Sequence, residues 1–300
     1  MASDVSFRYA AHTCRDLEKT VAFYQEVLGF DFVERRSSSL RMTAKLLGMP
    51  WPMELNIAWL RRDHYLCEFF DFAAQGTQGR CTWSPNRAGL QFVSLDIKDL
   101  PGLLAKAPRY GGRVLEDTNL GQSCCVLDPD GQVLELVDMR TTQGAKGPRD
   151  PDKRPPIDPS WPLSKFRHLA HVAHDLPRTR RFYEELLGFE FVLQRESSWP
   201  NTAKLLRMPW PMRLELAFLL KDGMELELMH YPTHPTKPAR EWVTNRPGLC
   251  SMHLTVGDLR GLVKEAPKYG GRVIPETDIG TACMMYDCDG QTVELVQRGS

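Results

Sequence analysis

The octapeptide "FYQEVLGF" at residues 23–30 recurs as "FYEELLGF" at residues 182–189, an offset of 159 residues. Self-similarity at a fixed offset indicates an internal repeat, which has to be recognised before any other feature of the fold is interpreted. We find no insertion or deletion between the repeated segments. Four further pairs share this offset: "TAKLLGMPWPM" (43–53) with "TAKLLRMPWPM" (202–212), "NRAGL" (86–90) with "NRPGL" (245–249), "YGGRV" (110–114) with "YGGRV" (269–273), and "DPDGQVLELV" (128–137) with "DCDGQTVELV" (287–296).

The duplication predicts two domains of similar size. Residues 1–140 form the first copy and residues 165–300 the second. The intervening residues 141–164 are rich in proline, glycine and charged residues. Such a composition favours an exposed linker.

Each copy divides again into two units. In the second copy, short strand-like segments lead into Asp175 and Asp258, which are suited to cap helices that end near Gly188 and Gly270. About three strand-like segments follow each helix, and the "DPDG" and "DCDG" tetrapeptides are typical of hairpin turns. The chain is therefore predicted to be an α+β protein with four strand–helix–three-strand units.

The segment "KFRHLAHVAHDL" (165–176) contains three histidines at a spacing of three residues. Because it precedes a helix cap, we expect a strand, in which side chains alternate between the two faces. His168 and His174 then share one face, and His171 points to the other. His171 matches His12 of the first copy, and we expect it to have a structural role.

The composition excludes several classes of protein. Hydrophobic residues make up 42% of the chain and charged residues 25%, as in a globular protein. Lysine plus arginine and aspartate plus glutamate balance at 38 each, so no general attraction to nucleic acid or to an anionic membrane is expected. No signal peptide is evident, and none of the eight cysteines forms a CxxC motif. We therefore expect reduced thiols and a cytoplasmic location.

The order H…DL…FYxxxLGF…LEL…DPDGxxxEL resembles the vicinal oxygen chelate superfamily, which includes glyoxalase I, bleomycin-resistance proteins, methylmalonyl-CoA epimerase and extradiol dioxygenases. The resemblance covers both copies. It implies two tandem glyoxalase-like domains in which paired βαβββ units form cupped mixed sheets around a divalent metal. It also implies that the ligands come from the first strand and a late strand of each unit.

The resemblance places candidate ligands in the second copy. His168 matches the first-strand ligand and Glu227 the late-strand ligand, whereas the neighbouring Glu225 is expected to face away. In the next unit the first-strand position is Ser251, and His253 lies two residues further along the same face. Glu294 matches the last ligand. His168, Glu227, His253 and Glu294 are thus the predicted metal ligands, for Zn²⁺, Ni²⁺, Mn²⁺ or Fe²⁺.

The first copy carries Tyr9, Glu68, Phe92 and Glu135 at the matching positions. Two carboxylates without an imidazole make a poor transition-metal site, so the first copy is predicted to be metal-poor. Fused plant-type glyoxalase I chains are similar in having duplicated domains with one working site.

Two arrangements of the units stay open. In some members of the superfamily the cavity forms between units of one domain, and in others between units of different domains. The second arrangement would pair His168 and Glu227 with Phe92 and Glu135. It would also pair Tyr9 and Glu68 with His253 and Glu294.

The predicted activity is that of a metal-dependent lyase or isomerase like glyoxalase I. It would act on a small carbonyl or vicinal-oxygen substrate through an enediolate, with Glu227 or Glu294 as the base. The alternatives are an Fe²⁺-dependent dioxygenase and a non-catalytic, antibiotic-sequestering type of binding protein. The expected partner is a small molecule, and the chain is expected to be a monomer or a homodimer.

Two other motifs have open roles. The repeated "AKLLxMPWPM" is either a lid, with Trp51 and Trp210 covering a substrate, or a packed connection. Arg87 and Arg246 of "NRxGL" are candidates for holding a substrate carboxylate.

Overall fold

The computed structural model describes residues 4–142 and 157–299, and most of the predicted linker lies outside these residues. The described residues contain sixteen strands. In the first copy they are β1 (Val5–Thr13), β2 (Asp31–Ser38), β3 (Leu55–Arg62), β4 (Tyr65–Phe72), β5 (Gly89–Ile97), β6 (Arg113–Val114), β7 (Ser123–Leu127) and β8 (Val133–Asp138). In the second copy they are β9 (Ser164–Val172), β10 (Glu190–Ser197), β11 (Leu214–Lys221), β12 (Met224–His230), β13 (Gly248–Val256), β14 (Arg272–Val273), β15 (Ala282–Tyr286) and β16 (Thr292–Gln297).

Short helices connect the strands. They are α1 (Leu17–Glu26), α2 (Arg41–Leu46), α3 (Leu100–Lys106), α4 (Met139–Thr142), α5 (Leu176–Arg181), α6 (Pro200–Leu205) and α7 (Leu259–Glu265). A π-helical turn, Phe182–Leu186, continues α5. Among the helices of the described residues, none has the length and apolarity needed to cross a membrane.

The predicted helix caps and turns are confirmed. The Asp175 side chain accepts a hydrogen bond from the backbone N–H of Arg178, and Asp258 does the same for Gly261. These bonds satisfy amide groups that the first turn of a helix leaves unpaired. Gly270 has a φ of +84°, a left-handed conformation that glycine adopts without steric cost.

The two sheets do not correspond to the two copies. Sheet I has the order β14-β15-β16-β13-β1-β4-β3-β2, and sheet II has the order β10-β11-β12-β9-β5-β8-β7-β6. In each sheet an antiparallel pair of first strands, β1 with β13 or β5 with β9, joins the copies. The α+β class and the four units are thus as predicted, and each sheet joins units of different copies, which is the second of the two arrangements.

The sheets share one core. Apolar side chains from both sheets and from the helices form a single buried cluster, which includes Phe23, Phe69, Leu136, Phe182 and Leu254. The domains are therefore tandem in sequence and interleaved in space.

Two buried histidine–aspartate clusters also connect the sheets. His12 of β1 in sheet I is fully buried, and its Nε2 lies 3.3 Å from Asp130 and 3.5 Å from Asp128, in the hairpin turn of sheet II. Thr20 donates a hydrogen bond to Asp130, and Tyr24 donates one to Asp128. Charge pairing and hydrogen bonding together keep these buried aspartates satisfied.

The second cluster repeats the first with the sheets exchanged. His171 of β9 lies 3.1 Å from Asp289, which also accepts hydrogen bonds from Thr179 and from the backbone of His174. This contact agrees with the expected structural role of His171, and the His12 cluster is its counterpart in the other half of the chain.

Replacing His12 with glutamine should destabilise the protein by about 3–5 kcal/mol, because two buried aspartates lose their cationic partner. Burial opposes protonation of His12, but Asp128 and Asp130 outweigh it and raise its pKa above the ordinary 6.5. The protonated form therefore contributes fully below about pH 6.5, and its contribution is lost as pH rises through the raised pKa.

Urea unfolding from about pH 6 to pH 10 measures this contribution as the stability difference between the wild type and His12→Gln. The difference should shrink as pH rises. The same substitution at the exposed His64, between β3 and β4, is the control. A difference that is constant with pH would contradict a protonated His12.

The shared sheets also predict that the two copies stay together when the chain is cut. A protease site inserted at residues 143–156 should yield, after cleavage, two fragments that elute as one particle from a sizing column. Separation into two folded monomers would be inconsistent with the cross-copy pairing of the first strands.

Candidate metal centres

Each sheet carries one polar cluster on its four central strands. In sheet II it is the His168 cluster: Glu227 on β12, His168 on β9, Ser94 on β5 and Glu135 on β8. In sheet I it is the His253 cluster: Glu294 on β16, His253 on β13, Tyr9 on β1 and Glu68 on β4. The repeat offset of 159 residues relates the two clusters position by position.

The His168 cluster brings three potential ligands together. His168 Nε2 lies 3.2 Å from Glu227 Oε2 and 3.6 Å from Glu135 Oε2, and the histidine is only 4% exposed. Ser94 donates a hydrogen bond of 2.5 Å to Glu135. Within the described residues, Nε2 of His168 is buried and has no hydrogen bond of good geometry.

The charges in this cluster reinforce one another. Burial opposes protonation of His168, but Glu227 and Glu135 outweigh it and raise the pKa of the imidazole to about 9. Burial would raise the pKa of Glu135, but the close contact with His168 and the positive charge of that imidazole lower it instead. The cluster thus holds the positive charge of His168 between the carboxyl groups of Glu227 and Glu135.

The His253 cluster has the same donor types in a different arrangement. His253 Nε2 lies 3.2 Å from Glu294 Oε2 and 4.0 Å from Glu68 Oε2. The ring of Tyr9 stacks on that of His253 at a centroid distance of 4.1 Å. Burial, opposed by the charge of His253, raises the pKa of Glu68 to about 7.

The two clusters differ at the position opposite the histidine. Ser94 pairs with His168 across β5 and β9, whereas Tyr9 pairs with His253 across β1 and β13. Serine is much smaller than tyrosine and so occupies less room beside the donors, whereas the ring of Tyr9 stacks on that of His253. Catalytic metal sites keep an open coordination position, so the His168 cluster is the better candidate.

The structure does not bring the four predicted ligands together. His168 and Glu227 lie in sheet II, and His253 and Glu294 lie in sheet I. The four residues therefore cannot bind one ion. The second carboxylate beside His168 is that of Glu135, from the first copy, and not that of Glu294. The expected contrast between a metal-poor first copy and a metal-bearing second copy therefore does not describe these sites, since each takes residues from both copies.

The register of the first strands explains part of the difference between the predicted ligands and the observed clusters. The family resemblance pointed to Ser251 and Phe92, but His253 and Ser94 occupy the central positions. Register shifts in both strand pairs accompany this two-residue displacement. A bulge alters which residues are opposite without leaving a clear signal in a single sequence.

Two neighbours of His168 were misjudged or missed from the sequence. Glu225 was expected to face away, but its carboxylate lies 3.9 Å from Nδ1 of His168, since residues two apart in a strand share a face. Tyr231, just after β12, is buried, and its hydroxyl has no hydrogen-bond partner among the described residues. The charges of Glu227 and Glu135 add to the effect of burial in raising its pKa, which places this hydroxyl near the cluster.

The repeated "AKLLxMPWPM" segment packs into the cups, which are the faces of the two sheets that carry the His168 and His253 clusters. Its tryptophans do not cover them. In sheet II, Leu205, Leu206, Met208 and Met212 join an apolar cluster with Phe92 of the cup. The two tryptophans point outward, with Trp51 58% exposed and Trp210 52% exposed. The packed connection is therefore the alternative that the structure supports.

The histidine–aspartate clusters of the fold also group metal-type donors: His12 with Cys14 and Asp130, and His171 with Asp287 and Asp289. Their aspartates already accept hydrogen bonds from threonine or tyrosine side chains and from backbone amides. All eight cysteines are free thiols. We assign these clusters to folding rather than to metal binding.

Comparison with known proteins identifies the family. The model of the Glyoxalase/Bleomycin resistance protein/Dioxygenase superfamily matches residues 6–136 and again residues 165–295. The chain therefore belongs to this superfamily and contains its domain twice. A comparison with the curated proteins finds no match.

Solved structures support the same fold. Glyoxalase I from Zea mays superposes with a TM-score of 0.62 at 17% identity, covering 98% of this chain and 93% of that one. A mutant form of the same maize enzyme gives a TM-score of 0.61 at the same identity, with coverage of 98% and 94%. A glyoxalase family protein from Bacillus cereus, 18% identical, covers 43% of this chain and 91% of its own, with a TM-score of 0.38. At 17% identity, the similarity to the maize structures concerns the fold alone.

Proposed function

We propose that the protein is a metal-dependent lyase or isomerase of the glyoxalase I type, with its centre at the His168 cluster. Its substrate is a small molecule with a carbonyl or two vicinal oxygens. The observation that supports this most is the buried Nε2 of His168, which faces two carboxylates and has Ser94 as its cross-strand neighbour.

The residues of the cluster suit a divalent cation. One imidazole nitrogen and two carboxylates, from three of the four central strands of sheet II, are ligands used by Zn²⁺, Ni²⁺, Mn²⁺ and Fe²⁺. Extradiol dioxygenases use two histidines and one carboxylate, a set that neither cluster provides. A bound cation would supply Lewis-acid polarisation of the carbonyl and stabilise negative charge on the vicinal oxygens.

The two carboxylates are held differently, and this difference separates their roles. Ser94 donates a hydrogen bond to Glu135 and fixes its position. Within the described residues, His168 is the only hydrogen-bond or ion-pair partner of Glu227. Glu227 is thus the carboxylate that can move, and we assign to its Oε2 the transfer of a proton between adjacent substrate carbons.

The surroundings of the cluster suit this chemistry. The apolar side chains of Phe92, Met208 and Met229 lie in the same cup, where they exclude water and strengthen electrostatic interactions. The hydroxyl of Tyr231, which has no partner among the described residues, is available to donate a hydrogen bond to a substrate oxygen. Glu294 and His253 lie in the cluster that Tyr9 closes, and we assign no catalytic step to them.

Metal analysis tests the proposed centre. Protein freed of metal with a chelator and reloaded with Zn²⁺, Ni²⁺, Mn²⁺ or Fe²⁺ should retain about one tightly bound equivalent per chain. His168→Ala should lose this equivalent. His253→Ala is the matched control and should keep it. Loss in the control and retention in His168→Ala would place the centre in the other sheet.

Proton exchange tests the proposed reaction. With an α-hydroxyaldehyde or α-hydroxyketone in D₂O, the metal-loaded enzyme should incorporate deuterium at the carbon next to the carbonyl, as measured by NMR. Glu227→Gln should slow this exchange by about 10²–10⁴-fold, the usual contribution of a general base. The same substitution at the repeat-related Glu68 should change it little.

The metal analysis and the exchange experiment together also separate the proposal from the binding-protein alternative. Tight binding of such molecules without metal, with no exchange and no effect of His168→Ala, would favour a sequestering role. Oxygen consumption in the Fe²⁺-loaded form would favour a dioxygenase.

A further inference from the structure

A second polar cavity lies where the two copies meet, and neither candidate metal centre accounts for it. It has a volume of about 110 Å³, and its walls are the loops before β5 and β13 together with the starts of β8 and β16. None of the residues of the His168 and His253 clusters lines it.

Three arginines converge on this cavity. Arg87 comes from the first copy, and Arg240 and Arg246 come from the second. Arg87 and Arg246 are related by the repeat offset, whereas Cys81 stands at the position that matches Arg240. The cavity thus has two symmetric cationic walls and a third that only one copy supplies.

None of the three guanidiniums forms an ion pair with a carboxylate of the described residues. Arg87 donates a hydrogen bond of 2.9 Å to the carbonyl oxygen of Pro238, and Arg246 donates one of 2.9 Å to the carbonyl oxygen of Glu241. Arg240 donates to the backbone and hydroxyl oxygens of Thr82.

The positive charges act on one another. Burial lowers the pKa of Arg240, and the nearby charges of Arg87 and Arg246 lower it further. Like charges in a partly enclosed space repel, and a bound anion would relieve that repulsion.

Unpaired hydrogen-bond donors around the cavity also favour a bound anion. Among the described residues, Nε of Arg87 and the indole nitrogens of Trp83 and Trp242 are buried without an acceptor. All three residues line the cavity. A buried N–H without an acceptor is unfavourable, so a set of them around one cavity requires an explanation.

We propose that this cavity binds a small tetrahedral oxyanion, either free phosphate or the phosphate group of a small molecule. Guanidinium groups bind phosphate through paired hydrogen bonds, and three of them match its several acceptor oxygens better than the two of a carboxylate. Since the arginines belong to both copies, the anion would also stabilise their association. The inference does not depend on the metal centre.

Titration with inorganic phosphate tests the proposal, with chloride added to hold the ionic strength constant. Phosphate should raise the melting temperature of the protein with saturation, and calorimetry should give a binding constant. Arg87→Gln and Arg246→Gln should each weaken binding at least about tenfold, the effect of losing one charge-assisted interaction of about 1.4 kcal/mol. Arg109→Gln, at an exposed position, removes the same charge and should leave binding unchanged.

The comparison of ligands identifies the source of the phosphate group. Equal binding of inorganic phosphate and a phosphate monoester supports a site for the group itself, and binding of phosphate alone supports a closed site for the free ion. Acetate binding as tight as phosphate, no saturable binding, or equal loss in Arg109→Gln would overturn the proposal. Melting in chloride and circular dichroism establish that each variant is folded.

Discussion

The pairing of first strands across the two copies is the interaction on which the rest of the structure depends. β1 pairs with β13 and β5 pairs with β9, so each eight-stranded sheet contains one unit from each copy. This pairing places Glu135 of the first copy beside His168 of the second. It also brings the turns of one sheet against the first strand and helix of the other, where the histidine–aspartate clusters form. Neither site nor core would be complete within one copy.

A duplicated backbone has allowed the two clusters to diverge by single substitutions at equivalent positions. In sheet II the histidine lies on the second-copy strand β9 and faces a serine on β5. In sheet I it lies on β13 and faces a tyrosine on β1. The charges are similar, yet the space beside the imidazole differs. Because metal catalysis requires an open position as well as ligands, steric filling by Tyr9 separates the clusters more clearly than their donor sets do.

Histidines three residues apart have different roles because of strand alternation. His168 faces the cup and two glutamates, and His171 faces the core and the turn aspartates. Both are buried, and opposing carboxylates raise the pKa of each. Burial and a raised pKa therefore do not separate a structural histidine from a candidate ligand. The two kinds of histidine differ instead in the hydrogen bonds that their partner carboxylates accept and in the size of the side chains around the ring.

The sequence alone is enough to predict the duplication, the α+β class, the four units, the helix caps and the strand that carries His168 and His171. These features depend on local patterns, namely repeats, alternation and turn residues, which a single chain displays directly. The three-dimensional arrangement is needed to show which units share a sheet, that Glu135 and Ser94 complete the His168 cluster, and that His253 and Glu294 lie elsewhere. Pairing between distant strands, and the bulges that shift its register, depend on the packing of the whole chain, and residues far apart in the sequence give no local sign of their contact.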